Sequence, residues 1–197
     1  MEKLLFVNCC ISERGESSRT NSICNAFLDG YRETHPNDAI EIEDLRTAML
    51  VPLNNNGIQE RDSLIAMQKW NSPVFQFATR FKDADKVLIG APYWDLSYPA
   101  QMELYIEYIS TEGYCYHIDR TGTHGDCNAA KLAYLTVGGE PEKPNSLGVE
   151  HWRQLSELFG IPEYEYLYAG GLETYPDQTE SLVAAAEAKA HRMGAEF

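Results

Sequence analysis

The sequence is short of positive charge. Sixteen lysines and arginines stand against 30 aspartates and glutamates in 197 residues, a formal net charge of −14. With the acids spread along the chain, the long-range field repels a phosphate backbone, so no nucleic-acid partner is expected. Long apolar runs are also missing. The longest nearly uncharged stretch, around Val87 to Pro92, is far below the roughly 20 residues that cross a bilayer, and the amino terminus shows no basic-then-apolar leader. A cytoplasmic location without a membrane partner is expected. Cysteine is sparse and odd in number (Cys9, Cys10, Cys24, Cys115, Cys127), which argues against a disulfide framework and for free thiols. Neither Gly-x-Gly-x-x-Gly nor Gly-x-x-x-x-Gly-Lys occurs, so a Rossmann dinucleotide turn and a Walker loop have no support. The absence of Pro/Gly/Ser tracts and of repeats removes disorder, collagen and solenoids.

What is present is a globular composition, 44% hydrophobic and 23% charged. A chain of this length buries roughly 70% of its unfolded surface, enough for one domain over residues 1–197. Apolar runs alternate with stretches of helical period, the pattern of an α/β fold with a parallel sheet. Strands are expected at Lys3–Asn8, Ala39–Glu43, Lys86–Ala91, Lys131–Val137 and Glu165–Tyr168. The first and third are continuously apolar inside, as central strands are, whereas Ala39–Glu43 alternates isoleucine with glutamate and belongs nearer an edge.

Helices are expected at Thr20–Thr34, capped by Ser18 or Thr20, and at Pro99–Ser110, Val149–Phe159 and Asp177–Met193. Ile58–Phe81 should break into two at Pro73. Asp44–Gly57 and the turn-rich Gly113–Asn128 are left as long connections, the kind that often carry binding loops. Five strands with interleaved helices predict a flavodoxin-like three-layer α/β/α sandwich with a five-stranded parallel sheet. Its ligand belongs beyond the carboxyl ends of the strands, at the topological switch point.

Chemistry is therefore sought after strands one, three and four. After strand one, residues 9–21 run into a helix start. Free amides there, the hydroxyls of Ser18 and Thr20 and the guanidinium of Arg19 make a phosphate cradle, against the plainer reading of a capped helix with a solvated arginine. A thiol phosphatase is disfavoured: from Cys10 to Arg14 three residues intervene and to Arg19 eight, neither matching the five of that chemistry's tight loop. After strand three, Pro92-Tyr93-Trp94-Asp95-Leu96-Ser97-Tyr98-Pro99 brackets aromatic rings between rigid prolines, which suits a planar ligand. His117, His124, Asp126 and Cys127 match no recognised metal-ligand spacing and read as a solvated turn, so no metal is expected.

The stretch APYWDLSYPAQMELYIEYI, with SSRTNS after strand one and TVGG after strand four, resembles the flavodoxin-like NAD(P)H-dependent oxidoreductases that include FMN-dependent azoreductases and quinone reductases. The resemblance spans nearly the whole chain. It implies FMN as cofactor and NADH or NADPH as donor, with quinone, azo or nitroaromatic acceptors and no catalytic acid or base. It implies further that Ser18, Arg19 and Thr20 hold the flavin phosphate, with Cys10 where azoreductases often place serine. Pro92, Tyr93, Trp94, Asp95 and Leu96 support one side of the ring, and Thr136, Val137, Gly138 and Gly139 the other. A homodimer is implied, with Trp70, Tyr114 and Tyr116 as aromatic walls over the exposed flavin face. Asp95 departs from the usual asparagine, and a carboxylate beside the flavin disfavours a negatively charged reduced ring. Two rival readings are a flavodoxin-like electron carrier and a flavin-free binding protein.

Overall fold

Residues 1–12, 17–142 and 146–197 are described by the structure, a computed structural model. Strands β1 (Lys3–Asn8), β2 (Ala39–Asp44) and β3 (Lys86–Gly90) alternate with helices α1 (Arg19–Thr34), α2 (Asn55–Ala66), α3 (Gln76–Lys82) and α4 (Ala100–Ile109). A hairpin, β4 (Tyr116–Asp119) and β5 (Gly122–Gly125), precedes β6 (Lys131–Val137), α5 (Leu147–Phe159), β7 (Glu163–Ala169) and α6 (Thr179–Glu196). The main sheet has five strands in the order β2-β1-β3-β6-β7, every neighbour parallel. This is the doubly wound sheet expected, with the half-exposed β2 on an edge.

Side chains alternate across each strand, so continuously apolar strands feed two separate cores. Leu5, Val7, Val87, Ile89, Leu132 and Tyr134 face Phe81, Met102, Tyr105, Trp152 and Phe159 from α3, α4 and α5. On the other face Leu4, Phe6, Leu88, Ala133 and Leu135 meet Ile23, Phe27 and Tyr31 of α1 and Ala186 and Ala190 of α6. Burying one such large apolar side chain contributes roughly 1.5–3 kcal/mol, which is why both faces must be covered. Helices α1 and α6 touch backbone to backbone: a Cβ on Gly30 would lie 2.0 Å from the His191 carbonyl oxygen, and one on Gly194 1.9 Å from that of Phe27.

Three expectations about elements are corrected. Helix α2 starts at Asn55 rather than Ile58, because Asn54 caps it by accepting from the Gly57 amide at 3.0 Å. The break comes before Pro73: α2 stops at Ala66 and Gln68 turns left-handed (φ +52°). The Lys69 amide donates to the Leu64 carbonyl there, a helix-closing turn. Pro73 instead opens a short 3-10 turn, Pro73–Phe75, leading into α3. Finally, Gly113–Asn128 contains the antiparallel hairpin β4–β5, with Asp119 paired to Gly122 across a turn of Arg120 and Thr121. Polar contacts organise it. The rings of His117 and His124 stack 5.1 Å apart, and each histidine meets its own aspartate, Asp126 at 2.8 Å and Asp119 at 3.1 Å.

Candidate functional site

The carboxyl ends of β1, β3, β6 and β7 open on one cleft of about 220 Å³. At the β1 end, the Cys10 amide donates to Asn8 Oδ1 at 2.9 Å, which turns the chain away from the strand. Ser18 then caps α1, its Oγ accepting from the Asn21 amide. Ser18, Arg19 and Thr20 all line the cleft, as do Cys10 and Ser12. Among the described residues the Arg19 guanidinium has no hydrogen bond or ion pair, so a full positive charge stands at an open helix amino terminus. Burial first of all pushes the Cys10 thiol up to about 11, and that of Cys9 up to about 12. Both are neutral near pH 7, which leaves them packing groups and not nucleophiles. Arg14, weighed above for phosphatase spacing, lies outside the described residues.

Beyond β3, the Tyr93 amide donates to the Val137 carbonyl at 2.9 Å, tying the second loop to the third. Pro92, Tyr93 and Trp94 line the cleft. Trp94 and Ser97 then exchange both backbone hydrogen bonds across a two-residue turn whose central residues, Asp95 (φ +49°) and Leu96 (φ +69°), are both left-handed. Asp95 and Leu96 do not line the cleft, and Leu96 and Trp94 are exposed.

The third loop brings Val137, Gly138 and Gly139 to the cleft, while Thr136 sits fully buried beneath it. A Cβ on Gly138 would lie 2.0 Å from the Tyr168 hydroxyl, so glycine leaves room for that ring over the strand end. From the end of β7, Leu172 and Glu173 complete the wall. Ser12 falls within the first-loop stretch 9–21 without having been singled out, whereas Leu172 and Glu173 follow a strand whose end carried no expected site. The Gly170-Gly171 pair after the last strand was the signal available for them.

Trp70, Tyr114 and Tyr116 are not brought to this cleft within one chain. Trp70 and Tyr114 stack on each other, 4.6 Å between centroids and 11° between planes, with Phe75 at the edge of Trp70 and the Tyr114 hydroxyl on Thr79. Tyr116 lines a second, larger cleft of about 590 Å³ with Arg61, Ile65 and Glu112, which shares no residue with the first. Size favours the second cleft. Chemistry favours the first, where four strand ends converge on an unpaired guanidinium and a helix amino terminus.

A family model described as a flavodoxin-like fold matches residues 2–193. The chain belongs to that family. This flavodoxin-like protein is 28% identical over 199 residues, covering all of both chains, to an FMN-dependent NADH:quinone oxidoreductase of Clostridium perfringens. It is 29% identical over 202 residues, again end to end, to a second such enzyme of Clostridium acetobutylicum. Among solved structures, an azoreductase from Bacillus anthracis superposes with a TM-score of 0.88 at 26% identity, covering 100% of each chain. A flavodoxin-like protein binds its ligand beyond the strand ends, where the smaller cleft lies. Its features fit a flavin mononucleotide: hydroxyls and an unpaired cation at one end, and aromatic and glycine backbone surfaces along the sides.

Proposed function

We propose that this chain is an FMN-dependent oxidoreductase that takes two electrons from NADH or NADPH and passes them to a quinone, azo or nitroaromatic acceptor. The observation that carries the reading is the convergence of the β1, β3 and β6 loops on a cleft holding an unpaired arginine. The relatives' names support FMN, NADH and the quinone and azo acceptors. When bound, FMN supplies the atom that accepts and returns hydride.

The protein's work is to bind, orient and exclude water. Ser18 and Thr20 hydroxyls, α1 amide groups and Arg19 hold the phosphate. Cys10 packs beside it as a neutral thiol. Pro92, Tyr93 and Trp94 support one side of the ring, with Asp95 and Leu96 forming the turn that follows them, and Val137, Gly138 and Gly139 support the other, above the buried Thr136. No side chain is assigned acid–base chemistry. The protein is a single cytoplasmic domain acting as a homodimer, and its partners are small molecules, not nucleic acid or membrane. Trp70, Tyr114 and Tyr116 wall the exposed flavin face across the dimer. In support, exposed Trp94, Leu96, Met49 and Val51 give the surface apolar area to cover, and no helix among the described residues is long and apolar enough to cross a membrane.

The test is direct. Protein saturated with FMN should quench flavin fluorescence and oxidise NADH in the presence of menadione; failure of both sinks the reading. The net charge of −14 favours one other role, an electron carrier docking on basic partners. A flavin-loaded protein that reacts only slowly with free NADH and NADPH would select it.

A further inference from the structure

Besides Arg19, the cleft wall carries a second unpaired charge. Glu173 follows β7 and is held in place by backbone, its amide donating to the Gly139 carbonyl at 2.8 Å and that of Thr174 to the same oxygen at 3.2 Å. Its side chain folds back over the third loop. A Cβ built on Gly139 would lie 2.6 Å from Glu173 Oε2, so the carboxylate covers the face of that glycine inside the cleft wall. Among the described residues it makes no hydrogen bond or ion pair. Asp95, the carboxylate that stands out in the sequence, does not line the cleft.

We propose that Glu173 sets the reduction potential of FMN in this cleft. The inference rests on the reading of the cleft as a flavin site and concerns what the chain does to the flavin once it is there. Two-electron reduction at neutral pH adds negative charge to the ring. A fixed, unneutralised carboxylate in the wall opposes that added charge and leaves the oxidised form largely unaffected. Glu173 therefore lowers the potential and makes the bound flavin a stronger reductant toward its acceptor. The charge is exposed, so the effect is screened by salt.

The experiment is the midpoint potential of FMN-loaded wild type and Glu173→Gln, by equilibration with reference dyes, together with the dissociation constant of oxidised FMN for each. Glu173→Gln is expected to bind reduced FMN about tenfold more tightly relative to oxidised FMN, a rise of about 30 mV for a two-electron couple. Oxidised FMN should bind within about twofold of wild type, and the shift should shrink at about 1 M salt. An unchanged potential overturns the proposal. So does an equal loss of affinity in both redox states, which would make Glu173 a plain ligand contact, and so does the same shift in Glu107→Gln, a surface charge on α4. Protein that takes up no FMN at all fails the functional reading itself, a result distinct from any of these.

Discussion

Arg19 and the Asp95–Leu96 pair show how differently single residues disclose themselves. The arginine's position just after a helix-capping serine makes it a candidate phosphate ligand in the sequence, beside the plainer reading of a solvated side chain, and its guanidinium meets no competitor among the described residues. Arg19→Ala is expected to weaken FMN binding by about 1.5–3 kcal/mol, the range of a charge-assisted hydrogen bond, in a fluorescence titration. Unchanged affinity would assign the side chain to solvent. The turn at Asp95 and Leu96 was not legible. Two successive left-handed residues are signalled by Asn-Gly or Asp-Gly, and Leu96 gives no such cue. Aspartate tolerates that conformation nearly as well as asparagine, so Asp95→Asn should leave urea stability within about 0.5 kcal/mol. A left-handed leucine costs roughly 1–2 kcal/mol, partly offset in glycine by its own entropy. Leu96→Gly should therefore stabilise the protein by about 0.5–1 kcal/mol in the same measurement, and a loss would mean that the exposed side chain is covered in solution.

At the scale of elements, legibility follows how apolar and how periodic a segment is. The strands β1, β3 and β6 have apolar interiors and were readable almost to the residue, whereas β4 and β5 have four residues each, with histidines, glycine and aspartate in place of β-branched runs. Their hairpin is made by ring stacking and Asp–His contacts across the strands, which no periodicity announces. The tight α1–α6 seam is equally silent in sequence, since Gly30 and Gly194 look like ordinary helix-weakening glycines. Gly30→Ala or Gly194→Ala must push the two backbones apart, at an expected cost of at least about 1–3 kcal/mol in denaturant unfolding. Helix α5 carries a pH signature as well. Arg153, 2.5 Å from Glu150, and then Gln154 hold the Glu150 carboxyl down at about 2. A depressed carboxylate stabilises above its unfolded value and loses that contribution as pH falls through the folded one, so the window runs from about 4.3 down to about 2. Melting temperatures should accordingly fall less on acidification in Glu150→Gln than in wild type, and the pair's exposure makes the difference small and salt-sensitive.

For the whole molecule, the alternation of apolar strands and amphipathic helices sufficed to give the sheet and to point to its carboxyl edge, because handedness and short connections leave few ways to wind such a chain. What alternation cannot encode is which side chains from distant loops meet. Glu173 enters the cleft only because β7 lies beside β6, and Trp70 with Tyr114 forms an intrachain stack that their spacing of 44 positions does not foretell. Net charge is read at this scale too, and it opposes the proposed ligand: FMN carries an anionic phosphate toward a protein of −14. The repulsion is long-range, reaching about 30 Å at 0.01 M salt and about 8 Å at 0.15 M, while the attraction of Arg19 acts only on close approach. Raising salt across that interval should therefore speed FMN association in stopped-flow fluorescence, since the diffuse field is screened before the local one. A rate that falls instead would mean that the cleft's own potential governs encounter, with Arg19 outweighing the acidic surface at every distance that matters.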